Sequence, residues 1–568
     1  MTSDATRRTL LTGAGALAAS GLWTPARAQN STYDTVSTQT TAPFVEVVTD
    51  NGRLRGGHSR GALAFKGVPY AGPVDGANRF KAAPPPVSWV GVRDALILGQ
   101  PALQGPGTTY GENEPAYSEN CLTLNVWTPA LDGRKRPVMF YNHGGGYATG
   151  SAGSRGQDGS HLAAAYDVVV VASNHRLGLM GYLYLGELGG EEYATSGNQG
   201  LLDIVAALKW VKTNIAAFGG DPGNVMLFGE SGGGYKTGTL LAMPAAKGLF
   251  HKASIESGPA LRRAHKDVAT ETAKRVLAGL GIAPNELHKL KDVPASAFID
   301  MQLAVQKGQG ALLVPSAPNA PVTAPAEWGR MHTSHWFSEQ PGMFGPVVDG
   351  TILPHDPFAP AAPAQIAAIP LLIGNNRDEA SFFNMGRPDT FSMDAAALKA
   401  RLQVELGADA ERVLAVYSHA RPHATASDIY IAISTARSMG FDTIVMADRK
   451  AAQPAPVYRY RCDYESNFAI AGTSATLKAG HATEITLKTL NPDQGGLQGN
   501  SPTLLPAARN MSAFWASFAR HGQPSAPGQP AWPYYDTKTR TTMLINADCE
   551  VVNDPDGDER RLWEGLGV

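Results

Sequence analysis

The stretch GESGGGYKTG at 229–238 sets Ser231 between Gly229 on one side and Gly232, Gly233 and Gly234 on the other. The apolar run 225–228 precedes it and TLLAMP follows, so it lies within folded structure and is no linker. A strand that runs straight into G-x-S-x-G and then a helix is a nucleophile elbow. There the serine occupies a strained turn and its hydroxyl stands clear of the sheet. Side chains at 229 and 233 would strike the neighbouring strand and helix, which is what demands glycine at both. The amide of Gly232, at the helix N-terminus, is free to donate toward a developing oxyanion. Ser231 is therefore the candidate nucleophile. A serine–lysine pair fits less well, because the third residue after Ser231 is Gly234. Tyr235 reads as helix packing and Lys236 as a surface residue.

A second glycine-rich turn supports the same chemistry. The run 137–141 (PVMFY) leads into His143-Gly144-Gly145-Gly146-Tyr147, where residues without side chains let several N–H groups converge on one point. Gly145 and Gly146 are assigned as oxyanion donors alongside Gly232. A phosphate nest is the competing use of such a loop, but no Lys-Ser/Thr sequel follows it. A serine nucleophile needs a base, and the base needs an orienting acid. Behind an elbow of this kind the chain order is serine, acid, histidine. An acid at the end of IPLLIGNNRDEASFF leaves His419, His423, His481 and His521 as possible bases. His419 and His423 sit in surface-like text, and His521 caps the closing helix. His481, in KAGHATEI, is the best base. The acid is Asp378 or Glu379; they are adjacent, and spacing does not choose between them.

These residues need a sheet to carry them. The runs 137–141, 167–173, 224–228, 369–376 and 456–464 are short, apolar and β-branched, as expected of strands buried on both faces. Residues 200–218 repeat Leu201, Val205, Leu208, Val211, Ile215 and Phe218 at helical spacing, stopped by Gly219, Gly220 and Pro222. Strand, helix and strand in that order predict a largely parallel sheet in an α/β protein. Residues 394–439 are mainly helical in pattern, 511–522 form an amphipathic helix, and 260–335 mix helix with a Pro/Ala-rich excursion. No repeat or linker divides the chain.

Bulk composition narrows the function. With 48 basic against 50 acidic residues in 568, the net charge of −2 offers no field for nucleic acid. No apolar stretch within the body of the chain reaches the roughly 20 residues of a membrane helix, so no membrane insertion is expected. The N-terminus carries Arg7 and Arg8, a Gly/Ala-rich run and Ala26-Arg27-Ala28. That combination predicts a twin-arginine export signal over 1–28 and a mature domain over 29–568, periplasmic or secreted. Cys121, Cys462 and Cys549 are an odd set with no zinc spacing, so no metal is expected. Whether Cys462 and Cys549 pair is left open.

Taken together, FKGVPYAGP, RFKAAPPPVSW, SENCLTLNVWTP, HGGGY, NHRLGLMGY, FGESGGG, GPVVDGTILPHDP, GNNRDEASFF, GHATEI and FWASFARHGQP resemble the type-B carboxylesterases, relatives of the cholinesterases, over residues 65 to 536. The resemblance implies the α/β-hydrolase fold, a large and mostly parallel central sheet flanked by helices, with long insertions forming a substrate gorge. It implies that Glu379 is the triad acid and that Glu230 is a carboxylate supporting the site from behind. It also implies structural ion pairs Arg79–Glu119 and Arg176–Asp203. The sequence departs from the family pattern at Asn120, at Ala102 (where a cysteine would partner Cys121), at Gly232 (commonly alanine) and at His175 (commonly tyrosine). Cys121 is accordingly expected to be a buried thiol.

The expected activity is hydrolysis of a small-molecule carboxylic ester through Ser231, His481 and Glu379, with no cofactor. Tyr147, Tyr193, Phe382 and Phe383 are candidates for the pocket wall. Amide, carbamate or specialised ester hydrolysis by the same machinery is the alternative, and a non-catalytic binding protein is another. Oligomeric state is not legible.

Overall fold

Twelve strands, taken along the chain, form the path of the main sheet among the described residues, which in this computed structural model are 43–105, 116–307 and 341–567. They are β1 (Val45–Thr49), β2 (Gly52–Ser59), β3 (Ala62–Pro69), β4 (Thr123–Thr128), β5 (Arg136–Asn142), β6 (Val169–Ser173), β7 (Gly220–Glu230), β8 (Lys252–Glu256), β9 (Leu371–Asn376), β10 (Val457–Cys462), β11 (Thr541–Ile545) and β12 (Glu550–Asn553). Their spatial order is β1-β2-β3-β4-β6-β5-β7-β8-β9-β10-β11-β12, with the short strand Val92–Asp94 beside β2. Pairing is parallel from β6 through β11 and antiparallel at both edges. This is an α/β sheet of mostly parallel centre, as the strand–helix–strand text predicts.

The continuous apolar runs are explained by burial on two faces. Along β5, Val138 and Phe140 enter one core while Met139 and Tyr141 enter the other. Val225 and Leu227 of β7 alternate with Met226 and Phe228 in the same way. Helix α1 (Gln199–Asn214) covers the first face. Its apolar period continues to Phe218 as a tighter 3-10 turn, and Gly219 in the left-handed region ends it. Helix α2 (Gly232–Leu240) leaves the sheet directly after Ser231, and α3 (Leu504–His521) packs Phe514, Trp515 and Phe518 against the second face.

Cys121, Cys462 and Cys549 are all buried free thiols, so no disulfide joins Cys462 to Cys549. A cavity of about 10 Å³ lies between Cys121 and Ala102, beside Glu119 and Arg176. The ion pairs Arg79–Glu119 (2.6 Å) and Arg176–Asp203 (2.7 Å) are both present, the first partly and the second fully buried. Residues 1–28 and the Pro/Ala-rich excursion at 314–328 lie outside the described residues. Among the described residues no helix is long and apolar enough to cross a membrane.

Candidate active site

The carboxyl ends of the parallel strands meet here, where open α/β sheets present their chemistry. β5 ends at Asn142 and passes into the glycine loop, β7 ends at Glu230 and passes into Ser231, and β9 ends at Asn376 three residues before Glu379. Registers β5–β7 and β7–β8 place Asn142 opposite Gly229 and Glu230 opposite Glu256.

Ser231 has φ 57° and ψ −121°, a conformation that L-residues seldom adopt, and its amide donates to Glu256 O at 2.8 Å. The turn holds only because the flanking positions lack side chains. A Cβ on Gly233 would lie 1.9 Å from Asn142 O, and one on Gly229 2.6 Å from the same oxygen. Gly233→Ala is therefore expected to destabilise the protein by about 3 kcal/mol or more, because backbone must move to admit the methyl. Gly386→Ala, whose Cβ meets nothing within 4 Å, should leave Tm within a degree or two. Thermal denaturation of the two variants checks the contrast.

The two glycine turns touch. A Cβ on Gly232 would meet Gly146 O at 2.1 Å and Gly146 N at 2.4 Å, so the backbone of the glycine loop lies directly against Gly232. The usual alanine would not fit at 232 without displacing that loop. Lys236 corrects an expectation. It is fully buried, and its Nζ donates to His143 O at 3.0 Å, tying α2 to the start of the glycine loop. Burial pushes its pKa well down. Reading a lysine near a helix start as surface missed that this helix is covered on every side.

His481 Nδ1 donates to Glu379 Oε2 at 2.6 Å, and Asn376 N donates to Glu379 Oε1 at 2.7 Å. Asp378 faces elsewhere: it pairs with Arg377 at 2.9 Å, and its amide and carboxylate are bonded to Ala479. The loops carrying acid and histidine are thus stitched together, further held by Asn376 Nδ2 on Gly480 O at 2.7 Å. His481 Nε2 lies 3.3 Å from Glu230 Oε1, and no hydrogen bond joins it to Ser231 Oγ among the described residues. Burial alone would lower the His481 pKa, but Glu230, Glu379 and Glu484 outweigh it and hold the imidazole above its ordinary value. Burial, aided by Glu484 and Glu379, raises Glu230, while His481 and Lys488 oppose that shift.

The pocket candidates divide. Phe383 and Phe382 flank the His481 ring, with centroids 4.8 and 5.7 Å from it. Tyr147, following the glycine loop, packs on Tyr182 and Tyr235 with the Arg263 guanidinium over it. Tyr193 stacks under Lys81 at 5.6 Å and packs beside Gly189, in the same core cluster as Tyr147. Glu256, Glu484 and Lys488 were missed as members of the buried site, although Glu484 stands within GHATEI. Among the described residues no cluster of His, Cys, Asp and Glu could hold a metal ion.

The carboxylesterase family matches residues 43–563 of the chain. The para-nitrobenzyl esterase of Bacillus subtilis is 35% identical over 526 residues, covering 91% of this chain and 97% of that protein. The liver carboxylesterase of Sus scrofa is 30% identical over 585 residues, with 97% and 95% covered. Among solved structures, a Geobacillus stearothermophilus carboxylesterase at pH 6.2 superposes with a TM-score of 0.75 at 36% identity, over 91% of this chain and 99% of that one.

Proposed function

The chain belongs to the carboxylesterase family and hydrolyses carboxylic esters, and from that premise we propose that Ser231, His481 and Glu379 are its catalytic triad. The observation that carries this reading is the Glu379–His481 bond, fixed by Asn376 and Gly480 beside a serine in an elbow conformation. Ser231 Oγ attacks the ester carbonyl while its proton passes to His481 Nε2. Glu379 holds the Nδ1–H tautomer and stabilises the imidazolium. The amides of Gly145, Gly146 and Gly232 receive the oxyanion. His481 then protonates the leaving alcohol, and water releases the acyl group through the same base. Phe382 and Phe383 wall the imidazole and keep it dry. The test is kcat/KM on a matched aryl ester, amide and carbamate. Ester turnover should exceed the other two by at least about a hundredfold; a preferred amide or carbamate would reassign the substrate class.

A pH profile follows from the charges. Nε2 accepts a proton only when neutral, and the surrounding carboxylates favour the charged ring. Activity is therefore full above the raised pKa and lost as pH falls through it. The acid limb of kcat/KM for a neutral ester should lie above the ordinary histidine value of 6.5. Glu230→Gln should move it to lower pH; an unmoved limb would remove Glu230 from the account.

The same proposal includes export. Arg7, Arg8 and the Ala26-Arg27-Ala28 site support twin-arginine translocation to the periplasm or beyond. N-terminal sequencing of exported protein should begin at Gln29.

A further inference from the structure

Four fully buried carboxyl groups, those of Glu230, Glu256, Glu379 and Glu484, share the wall behind the elbow. Among the described residues they are balanced there by two groups, His481 and Lys488. Lys488 is fully buried, seven residues past His481 in the short helix Ile485–Lys488. Its Nζ lies 2.6 Å from Glu256 Oε2, 3.9 Å from Glu484 Oε1 and 6.0 Å from the centre of the Tyr141 ring. Glu256 is held in turn by Trp515 Nε1 at 2.5 Å and Ser254 Oγ at 2.7 Å. Glu484 accepts from Asn376 Nδ2 at 2.6 Å, the residue whose amide braces Glu379. An ion pair from Lys488 to Glu484 and then hydrogen bonds through Asn376 therefore lead to the acid of the triad.

We propose that Lys488, paired with Glu256, is a positioning residue that sets the pH at which His481 can accept the Ser231 proton. The proposal rests on the triad reading above. His481 is faced by Glu230 from the end of β7, Glu379 from the loop after β9 and Glu484 from its own loop. Lys488 is faced by Glu256 from β8, Glu484 from the residue before its own helix, and Tyr141 from β5, with Glu230 also acting on it. Tyr460 and Cys462 on β10 are the other titratable neighbours, kept neutral by burial and then by the adjacent carboxylates. Water is excluded, so these charges act on one another at low effective dielectric. Removing the ammonium leaves His481 to balance the carboxylates alone, and it binds its proton more tightly. Removing the Glu256 carboxylate leaves Lys488 uncompensated, and the imidazole loses its proton more readily.

The experiment is the pH dependence of kcat/KM for a neutral ester in Lys488→Met, Glu256→Gln and the double variant. Every variant is titrated with a fluorophosphonate. The acid limb should move up by roughly 0.5–1 pH unit in Lys488→Met and down by a similar amount in Glu256→Gln. It should return near the wild-type position when both are changed. Limbs coincident with wild type, in folded variants whose activity drops equally at every pH, would overturn the proposal and leave the pair a structural one. Should Lys488→Met fail to fold, the direction of the Glu256→Gln limb decides alone. Stoichiometric labelling of Ser231 alongside unmoved limbs counts against Lys488 only. Absence of labelling in the wild type counts against the triad itself.

Discussion

Ser231→Ala is expected to lower kcat/KM on an activated ester by roughly 10⁴- to 10⁶-fold with no loss of fold. The attacking oxygen is removed, yet the glycine loop proposed to hold the oxyanion and the Glu379–His481 pair remain in place. The elbow conformation at φ 57° strains alanine as much as serine, so thermal stability should hardly change. Ser231→Gly relieves that strain and should raise stability by up to about 1 kcal/mol while being just as inactive. Residual turnover near the wild-type rate in either variant would remove Ser231 from the chemistry. Kinetics and thermal melts on the three proteins give both readouts.

The second large effect separates two neighbouring acids. Glu379→Gln should cut kcat by about 10³- to 10⁴-fold with KM little altered. The amide would have to satisfy both Asn376 N and His481 Nδ1, and it offers the ring no negative charge to stabilise its cation. Asp378→Asn, by contrast, disturbs a contact with Arg377 and Ala479 and touches no part of the imidazole. It should cost less than about tenfold in kcat, with its effect seen in stability. Equal losses in the two variants would mean the acid has been assigned wrongly.

That pair also shows what a sequence can and cannot convey. Asp378 and Glu379 are adjacent in text and occupy one strand end, so spacing treats them alike. In the fold they diverge: Glu379, at the start of the helix Ala380–Phe383, takes His481, while Asp378 takes Arg377 and Ala479. The elbow was legible because its steric demand is local: glycine at 229 and 233 is forced by contacts of the turn itself. Strands β5, β6, β7, β9 and β10 were legible for a similar reason, since burial on both faces leaves a continuous apolar run. Lys236 and Lys488 were not. A charged side chain in a helix reads as solvated unless one knows that other elements close over it. Glu256 hides likewise at the end of an apolar strand, with partners up to 259 residues away.

The departures from the family pattern acquire reasons in the fold. Gly232 stands where alanine is usual because the glycine loop approaches so closely that Gly146 fills the space of a methyl. His175 stacks on His143 at 4.5 Å, both fully buried and both held below the usual histidine pKa, by burial first and by Lys236 next. Behind the glycine loop the protein thus keeps a set of neutral rings and one lysine. Behind the elbow it keeps carboxylates and a second lysine.

The central claim is that one serine, Ser231, is activated by the pair behind it. Its most direct test is intact-mass analysis after reaction with a fluorophosphonate, with peptide mapping, on wild type and Ser231→Ala. The account predicts one adduct per chain on the peptide containing 229–238, lost in the variant. A folded wild-type protein that takes no adduct, or an adduct that persists in Ser231→Ala, would contradict it.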